Sequence, residues 1–500
     1  MLKTDHLTIT TYKGRVLLND FSFVLNKKDK IALIGEEGNG KSTILKIIAG
    51  IDTDSYVTYT GKIICDEKIG FLPQSIEEKY LDLSVSDFIS KEIDYNFLYS
   101  LLKRINIDPE LIGERKLRTL SGGEKVRVSL LKLLYEQPDI RLLDEPTNDL
   151  DLKTLIWLEE FISNADQAMI FVSHDETLLE NCAQGILHLE QLKRKSEAHM
   201  TYSGCGYREY CESRDAYIGR NNMIASKEKN ELKKQMERWR KIYQKVEYQQ
   251  KTISRGDPHG AQLLKKKMHA VKAQEKILEN RKENLRQKYE PEEAIDVFFG
   301  HVDINPNKVI LDLHLYELKI EDNVLSRNID LKILGKDKVC LIGDNGSGKS
   351  TLIKLIAQEL LQREDIKAGY MPQNYYEVMD YELTPVQFLW DGADMEKRAE
   401  VQSCLGALKF TTEEMEHKIA DLSEGQKCKI LLISLILNQC NVLILDEPTR
   451  NLSPLSNPII RKILNDYEGT IISVSHDRKF IDEVADKVYE LDISGLRLWQ

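Results

Sequence analysis

Long apolar runs are missing from this 500-residue chain. None approaches the ~20 residues a helix needs to cross a bilayer, so a helical membrane span is excluded and no membrane partner is expected. The first residues, Met1-Leu2-Lys3-Thr4-Asp5-His6, carry no apolar secretory stretch and lead into strand-like sequence. A cytoplasmic location is the expectation. The eight cysteines include no C-x-x-C pair, which argues against a zinc site or a disulfide framework and leaves them as small apolar residues. Excess positive charge is also missing overall, the formal net charge being −11. That average hides a reversal. Residues 227–288 hold 19 Lys and Arg against 8 Asp and Glu, a local balance of +11 that leaves −22 on the rest. A basic segment between acidic blocks predicts a polyanionic partner for that segment alone.

What the chain does contain, it contains twice. Gly35-Glu36-Glu37-Gly38-Asn39-Gly40-Lys41-Ser42 and Gly343-Asp344-Asn345-Gly346-Ser347-Gly348-Lys349-Ser350 both fit G-x-x-x-x-G-K-[ST], the phosphate-binding loop. Glycines let the backbone turn its N–H groups onto phosphate oxygens, and the following helix adds its positive end. The lysine supplies a point charge and the serine hydroxyl helps to hold Mg²⁺. Buried strands are predicted just before each loop, at Ile31–Ile34 and Val339–Ile342, and helices just after.

More motifs recur in the same order. Phe71-Leu72-Pro73-Gln74 is answered by Tyr370-Met371-Pro372-Gln373, and Leu120-Ser121-Gly122-Gly123-Glu124 by Leu422-Ser423-Glu424-Gly425-Gln426. Strands ending in Asp144-Glu145 and Asp446-Glu447 follow, then strands ending in His174 and His476. Signature serine to glutamate spans 24 residues and glutamate to histidine 29, in both copies. Such spacings mark an internal duplication of an α/β unit. Between the copies, Leu232, Met236, Trp239, Tyr243 and Val246 trace the narrow seam of a coiled coil. It resumes at Leu264, Met268, Val271, Leu278 and Leu285 beyond a Gly- and Pro-containing break. An antiparallel helical hairpin is predicted, its tip near 251–260 and its first arm roughly 60 Å long.

The ordered set of phosphate loop, glutamine, LSGGE/LSEGQ signature, Asp-Glu strand and His strand resembles the ATP-binding-cassette ATPases. Two cassettes on one chain, joined by a charged helical linker and without membrane spans, resemble the ABC-F family. Tyr202-Ser203-Gly204-Cys205-Gly206-Tyr207 resembles the segment by which that family leaves its first cassette, with Cys205 in place of its usual Asn. The resemblance implies an α/β fold of two P-loop ABC-type nucleotide-binding domains joined by a long α-helical hairpin. The implied domains are residues 1–195, a linker over 196–300, and 301–500.

The resemblance also implies two ATP sites, each between one cassette's phosphate loop and the other's signature, within a monomer. The first draws on Gly35, Gly38, Gly40, Lys41, Ser42, Thr43, Gln74, Asp144, Glu145 and His174, facing Ser423 and Gly425. The second draws on Gly343, Gly346, Gly348, Lys349, Ser350, Thr351, Gln373, Asp446, Glu447 and His476, facing Ser121, Gly122 and Gly123. Glu145 and Glu447 are the expected catalytic carboxylates, polarising water, with His174 and His476 on the γ-phosphate. Mg²⁺ is expected through Ser42, Gln74 and Asp144, and through Ser350, Gln373 and Asp446. Tyr12 is an expected platform for a base, and Ile320 falls at the matching place in the second copy. Departures set the copies apart: Asp149 replaces the family's His, Arg450 and Ser453 replace an Asn and an Asp, and Glu424 puts a carboxylate in the signature, expected near phosphate.

ATP, Mg²⁺ and the ribosome are therefore the expected ligands and partner. The ribosomal contacts implied are large-subunit rRNA, the tRNA exit site and P-site tRNA. Lys251, Arg255, His259, Lys265, Lys266 and Lys267 around the tip are the expected RNA contacts. The family holds proteins that protect the ribosome from lincosamides, pleuromutilins and streptogramin A, and this is the expected function. A housekeeping translation factor, or the ATPase subunit of a membrane exporter, are the alternatives.

Overall fold

The structure is a computed structural model that describes all residues except 52, 54, 91, 105–106, 149, 192–196, 253–257, 290, 292–298, 322, 391, 393 and 500. Met1–Tyr207 and Glu292–Gln500 form one compact unit and Arg208–Pro291 another.

In the first half of the larger unit, β1 (Leu2–Thr11), β2 (Val16–Leu25) and β4 (Val57–Cys65) make an antiparallel sheet in the order β2-β1-β4. The main sheet contains β3 (Lys30–Ile34), β5 (Ile69–Leu72), β6 (Ile140–Asp144), β7 (Ala168–Val172), β8 (Gly185–Gln191) and β9 (Glu197–Ser203). Its order is β5-β6-β7-β3-β8-β9, parallel except for β8 with β9. The cassette's sheet thus takes in residues beyond 195. All five residues of β3, of β6 and of β7 are buried, as parallel strands covered on both faces must be.

The second half repeats the plan. β10 (Val309–Ile320) and β11 (Asn323–Leu334) pair antiparallel. β12 (Lys338–Ile342), β13 (Ala368–Met371), β14 (Val442–Asp446), β15 (Thr470–Val474), β16 (Lys487–Asp492) and β17 (Gly495–Leu498) follow the order β13-β14-β15-β12-β16-β17. This order sets the carboxyl ends of β6, β7 and β3, and of β14, β15 and β12, side by side. In such sheets ligands bind outside the carboxyl ends of the strands.

Four helices carry the loop and signature motifs: α1 (Lys41–Ile48), α2 (Gly122–Tyr135), and in the second half, beyond the hairpin, Lys349–Leu361 and Glu424–Leu437. The smaller unit contains α3 (Tyr207–Thr252), whose first residue belongs to the larger unit, and α4 (Pro258–Glu283). At 1.5 Å per residue, the 46 residues of α3 span about 70 Å. Leu232, Val246, Val271 and Leu278 of the predicted seam are buried. The Trp239 indole N–H donates to the Val271 carbonyl (2.9 Å), Gln250 donates to Leu264 O (3.3 Å) and Asn222 to Tyr289 O (3.0 Å). These pairs run in opposite directions along the chain, so the helices are antiparallel. Lys251, His259, Lys265, Lys266 and Lys267 are exposed, whereas 253–257 of the predicted tip, Arg255 among them, lie outside the described residues.

Candidate active site

Gly40 and Gly348 hold the left-handed backbone from which α1 and Lys349–Leu361 start, with φ of 99° and 100°. A side chain there would be strained, which is why the loop needs glycine. Lys41 Nζ donates to the carbonyls of Gly35 (2.9 Å) and Glu36 (3.1 Å), and Lys349 Nζ to Gly343 (2.8 Å) and Asp344 (2.9 Å). Each signature serine caps its helix. Ser121 accepts from the Glu124 amide while Glu124 accepts from the Ser121 amide, and Ser423 and Gln426 do the same.

Glu145 and Glu447 sit one residue past the ends of β6 and β14, both in the left-handed region, at φ of 48° and 56°. That conformation is costly for a residue with a side chain and is concentrated at functional sites. Glu145 Oε2 accepts from Gln74 (3.0 Å) and Asn148 (2.9 Å), and Oε1 lies 3.0 Å from His174 Nε2. Burial alone would raise the Glu145 pKa, but His174, Lys41 and Asn148 together bring it down to about 2. At the second site His476 Nε2 stands 3.6 Å from Glu447 Oε1, and burial pushes the Glu447 carboxyl up to about 7. A base poised near neutrality is better matched to proton transfer than one held far below it.

The two phosphate loops border different spaces. A cavity of about 870 Å³ is lined by Gly346, Lys349, Ser350, Thr351, Gln373, Glu447 and His476 from the second cassette, and by Ser121 and Gly122 from the first. This is within the ~300–1,000 Å³ typical of small-molecule sites. Gln74 and His174 line the same cavity, as does Ile320. At the first phosphate loop, Glu36, Glu37, Ser423, Gly425 and Lys429 line a space of only about 30 Å³. Tyr12 is 62% exposed and lies outside both linings.

A contact between the cassettes explains one of the departures, and a contact within the second cassette another. Ser453 and Ser456 both bond Glu36 Oε1, the latter at 2.6 Å, and Lys429 pairs with Glu36 Oε2 at 3.1 Å. An aspartate in place of Ser453 would set two carboxylates against each other. Glu424, expected near phosphate, instead bonds Lys427 Nζ (2.7 Å), one helical turn away, and is outside the lining of the small space. Asp149 lies outside the described residues. Arg461 grips Glu176 with both guanidinium nitrogens (2.5 and 3.3 Å), and Arg478 Nη2 lies 3.3 Å from Asp175. Tyr207 donates to the Pro454 carbonyl (2.9 Å), and His174 Nδ1 lies 2.6 Å from Leu452 O. The motifs assigned no role to Glu36, Glu37 or Arg461, and the first two left a signal, as paired acids inside a loop built for anions.

The sequence matches the ABC transporter family over residues 18–148 and 326–450, once in each cassette. ABC transporter F family member 5 of Arabidopsis thaliana is 27% identical over 96% of this chain and 74% of its own length. ATP-binding protein Uup of Buchnera aphidicola is 31% identical, over 96% of this chain and 79% of its own length. The chain belongs to the ABC-F family. Among the described residues of this ABC-F protein, no helix is long and apolar enough to cross a membrane. Another relative, ARB1 of Saccharomyces cerevisiae, is 27% identical over 98% of this chain and 82% of its own length. The twin-cassette fold is also that of archaeal ABCE1, solved with the ribosomal stalk protein aP1. There the TM-score is 0.61 at 17% identity, covering 98% of this chain and 90% of that one.

The protein is an ATPase, and its ATP sites bring together oxygen donors suited to Mg²⁺. Ser42 Oγ donates to Asp144 Oδ1 (3.0 Å), and Ser350 stands beside Asp446. Among the described residues, the buried carboxylate of Asp446 has no hydrogen-bond partner beyond the Ser350 hydroxyl beside it. Burial, with Glu447 next, pushes the Asp446 carboxyl up to about 7, and burial pushes Asp144 up to about 6. A hard divalent cation relieves both conditions, so these residues fit it. Ser42 with Asp144, and Ser350 with Asp446, would hold it, and when bound it offsets the charge of the terminal phosphates.

Proposed function

We propose that this ABC-F ATPase binds the ribosome in its ATP-bound, closed form. It directs its helical hairpin towards the peptidyl-transferase centre and so protects the large subunit from lincosamide-, pleuromutilin- or streptogramin A-type antibiotics. The observation that carries the reading is the hairpin. Its charge balance is +11 over residues 227–288 in a chain that is otherwise acidic, and lysines 251 and 265–267 are exposed. Exposed basic residues on a stiff helical pair suit contact with RNA phosphates. The contacts proposed are large-subunit rRNA and P-site tRNA, approached from the tRNA exit site.

ATP sets the timing. Lys349, the signature amides and His476 bind the terminal phosphate from both cassettes, and Glu447 orients water for its removal. Loss of that charge undoes the contacts and favours opening. The test is sedimentation of E145Q/E447Q protein with ribosomes, with ATP and with ADP, beside drug-susceptibility assays of expressing cells. Retention with ATP alone and raised resistance support the proposal. Absence from ribosomal fractions at saturating ATP overturns it, and retention without any change in susceptibility makes the protein a translation factor instead.

A further inference from the structure

The two phosphate loops differ at one position whose side chain reaches the other cassette. Where the second loop has Asn345, the first has Glu37, and the Glu37 carboxylate accepts the amide N–H of Gly425 in the opposing signature. The fit is tight: a Cβ on Gly425 would stand 2.9 Å from Glu37 Oε2 and 2.6 Å from Asn451 O. A signature amide at the first turn of a helix is a donor for an anion. Burial raises the Glu37 carboxyl above its ordinary value and Glu145 adds to the rise, while the Gly425 amide, His174 and Lys41 offset part of it. These are the groups that would surround a terminal phosphate in the first site.

We propose that the Glu37 carboxylate stands in for the γ-phosphate at the first site, which therefore closes around a nucleoside diphosphate and leaves triphosphate to the second site. Three further observations agree. The space beside Glu37 is about 30 Å³, whereas the second phosphate loop opens onto about 870 Å³, which Gln74 and His174 of the first cassette also border. The parts that cradle inner phosphates are nevertheless intact, with Gly40 left-handed and Lys41 held over the loop. The facing segment is also adapted, because Ser453, Ser456 and Lys429 fix the neighbouring Glu36, with Ser453 standing where the first cassette has Asp151. A triphosphate in the first site would bring its last phosphate against a carboxylate already seated on its amide.

The inference rests on both cassettes being nucleotide sites and is independent of the ribosome reading. Its test uses the full-length E145Q/E447Q chain with equimolar ATP, ADP and Mg²⁺. Loose nucleotide is removed by rapid desalting, and what remains is identified and counted by chromatography. One ATP and one ADP per chain are expected. Adding Glu37→Asn, the residue of the second loop, is expected to raise retained ATP twofold, to two per chain, with loss of the ADP. Two ATP per chain with Glu37 in place overturns the proposal, as does retention unchanged by the substitution in folded protein. If the added substitution prevents folding, the count on the Glu37-bearing chain decides alone. A chain that retains no nucleotide overturns the assignment of the sites as well.

Discussion

Ser456 Oγ lies 2.6 Å from Glu36 Oε1, so a residue of the second cassette bonds the phosphate loop of the first. With Ser453 and Lys429 it completes a ring around one buried carboxylate. Burial by itself would raise the Glu36 pKa, but Lys429 and the two serines bring it down to about 2. A depressed carboxylate pKa adds stability above its unfolded value, and this is lost as pH falls towards the folded one. The stability gap between native protein and E36Q is therefore expected to be full at pH 6 and to shrink steadily towards pH 3. Parallel denaturant titrations measure it, and a gap constant with pH would refute the account.

Arg461 and Glu176 form a pair whose side chains are only 2% and 5% exposed. Removing Arg461 leaves Glu176 with Lys479 at 3.3 Å as its remaining cation, and losing one partner of a buried pair costs about 3–5 kcal/mol. R461M should lower stability by about that amount. E176L added to R461M should recover most of the loss, since apolar replacements of both partners are often neutral. A double-mutant cycle on the full chain tests this.

Glu447 lines the large cavity, and its carboxyl is the less encumbered of the two. Substituting E447Q is expected to reduce ATP turnover by about 10²–10⁴-fold, the range for loss of a general base. ATP binding should survive. Steady-state phosphate release and nucleotide retention separate the two effects.

Lysines 265–267 face solvent on α4. Replacing all three by Gln is expected to weaken ribosome retention and to flatten its salt dependence by roughly 0.7–0.9 in log–log slope for each RNA phosphate left without its lysine. Sedimentation across a salt series reads both. An unchanged slope would show that these lysines do not touch RNA.

The fold could be read from the sequence wherever one local rule decides it. Gly40 and Lys41 declared a phosphate loop because few other residues tolerate that backbone. Strand β6 was legible as an apolar run ending in acid, and the hairpin through the spacing of Leu232, Val246, Val271 and Leu278. What escaped depends on residues hundreds of positions apart. Ser453 was visible as a departure from pattern, but its reason, Glu36, lies 417 residues away. Glu424 was assigned towards phosphate by alignment with a glycine, and Lys427, three residues on, captures it instead. The unequal cavities depend on how side chains fill space between the halves, which no motif encodes.

Tyr207 opens α3 and donates its hydroxyl to Pro454, in the stretch that also supplies Leu452 to His174 and Ser453 to Glu36. Tyr207, the last residue of the larger unit before the hairpin, thereby shares its partner stretch with Glu36 of the first phosphate loop. Within the larger unit, one short stretch, 452–456, therefore meets a phosphate loop, a histidine at a strand end and the last residue before the linker, so a change at any of the three is felt by the same backbone.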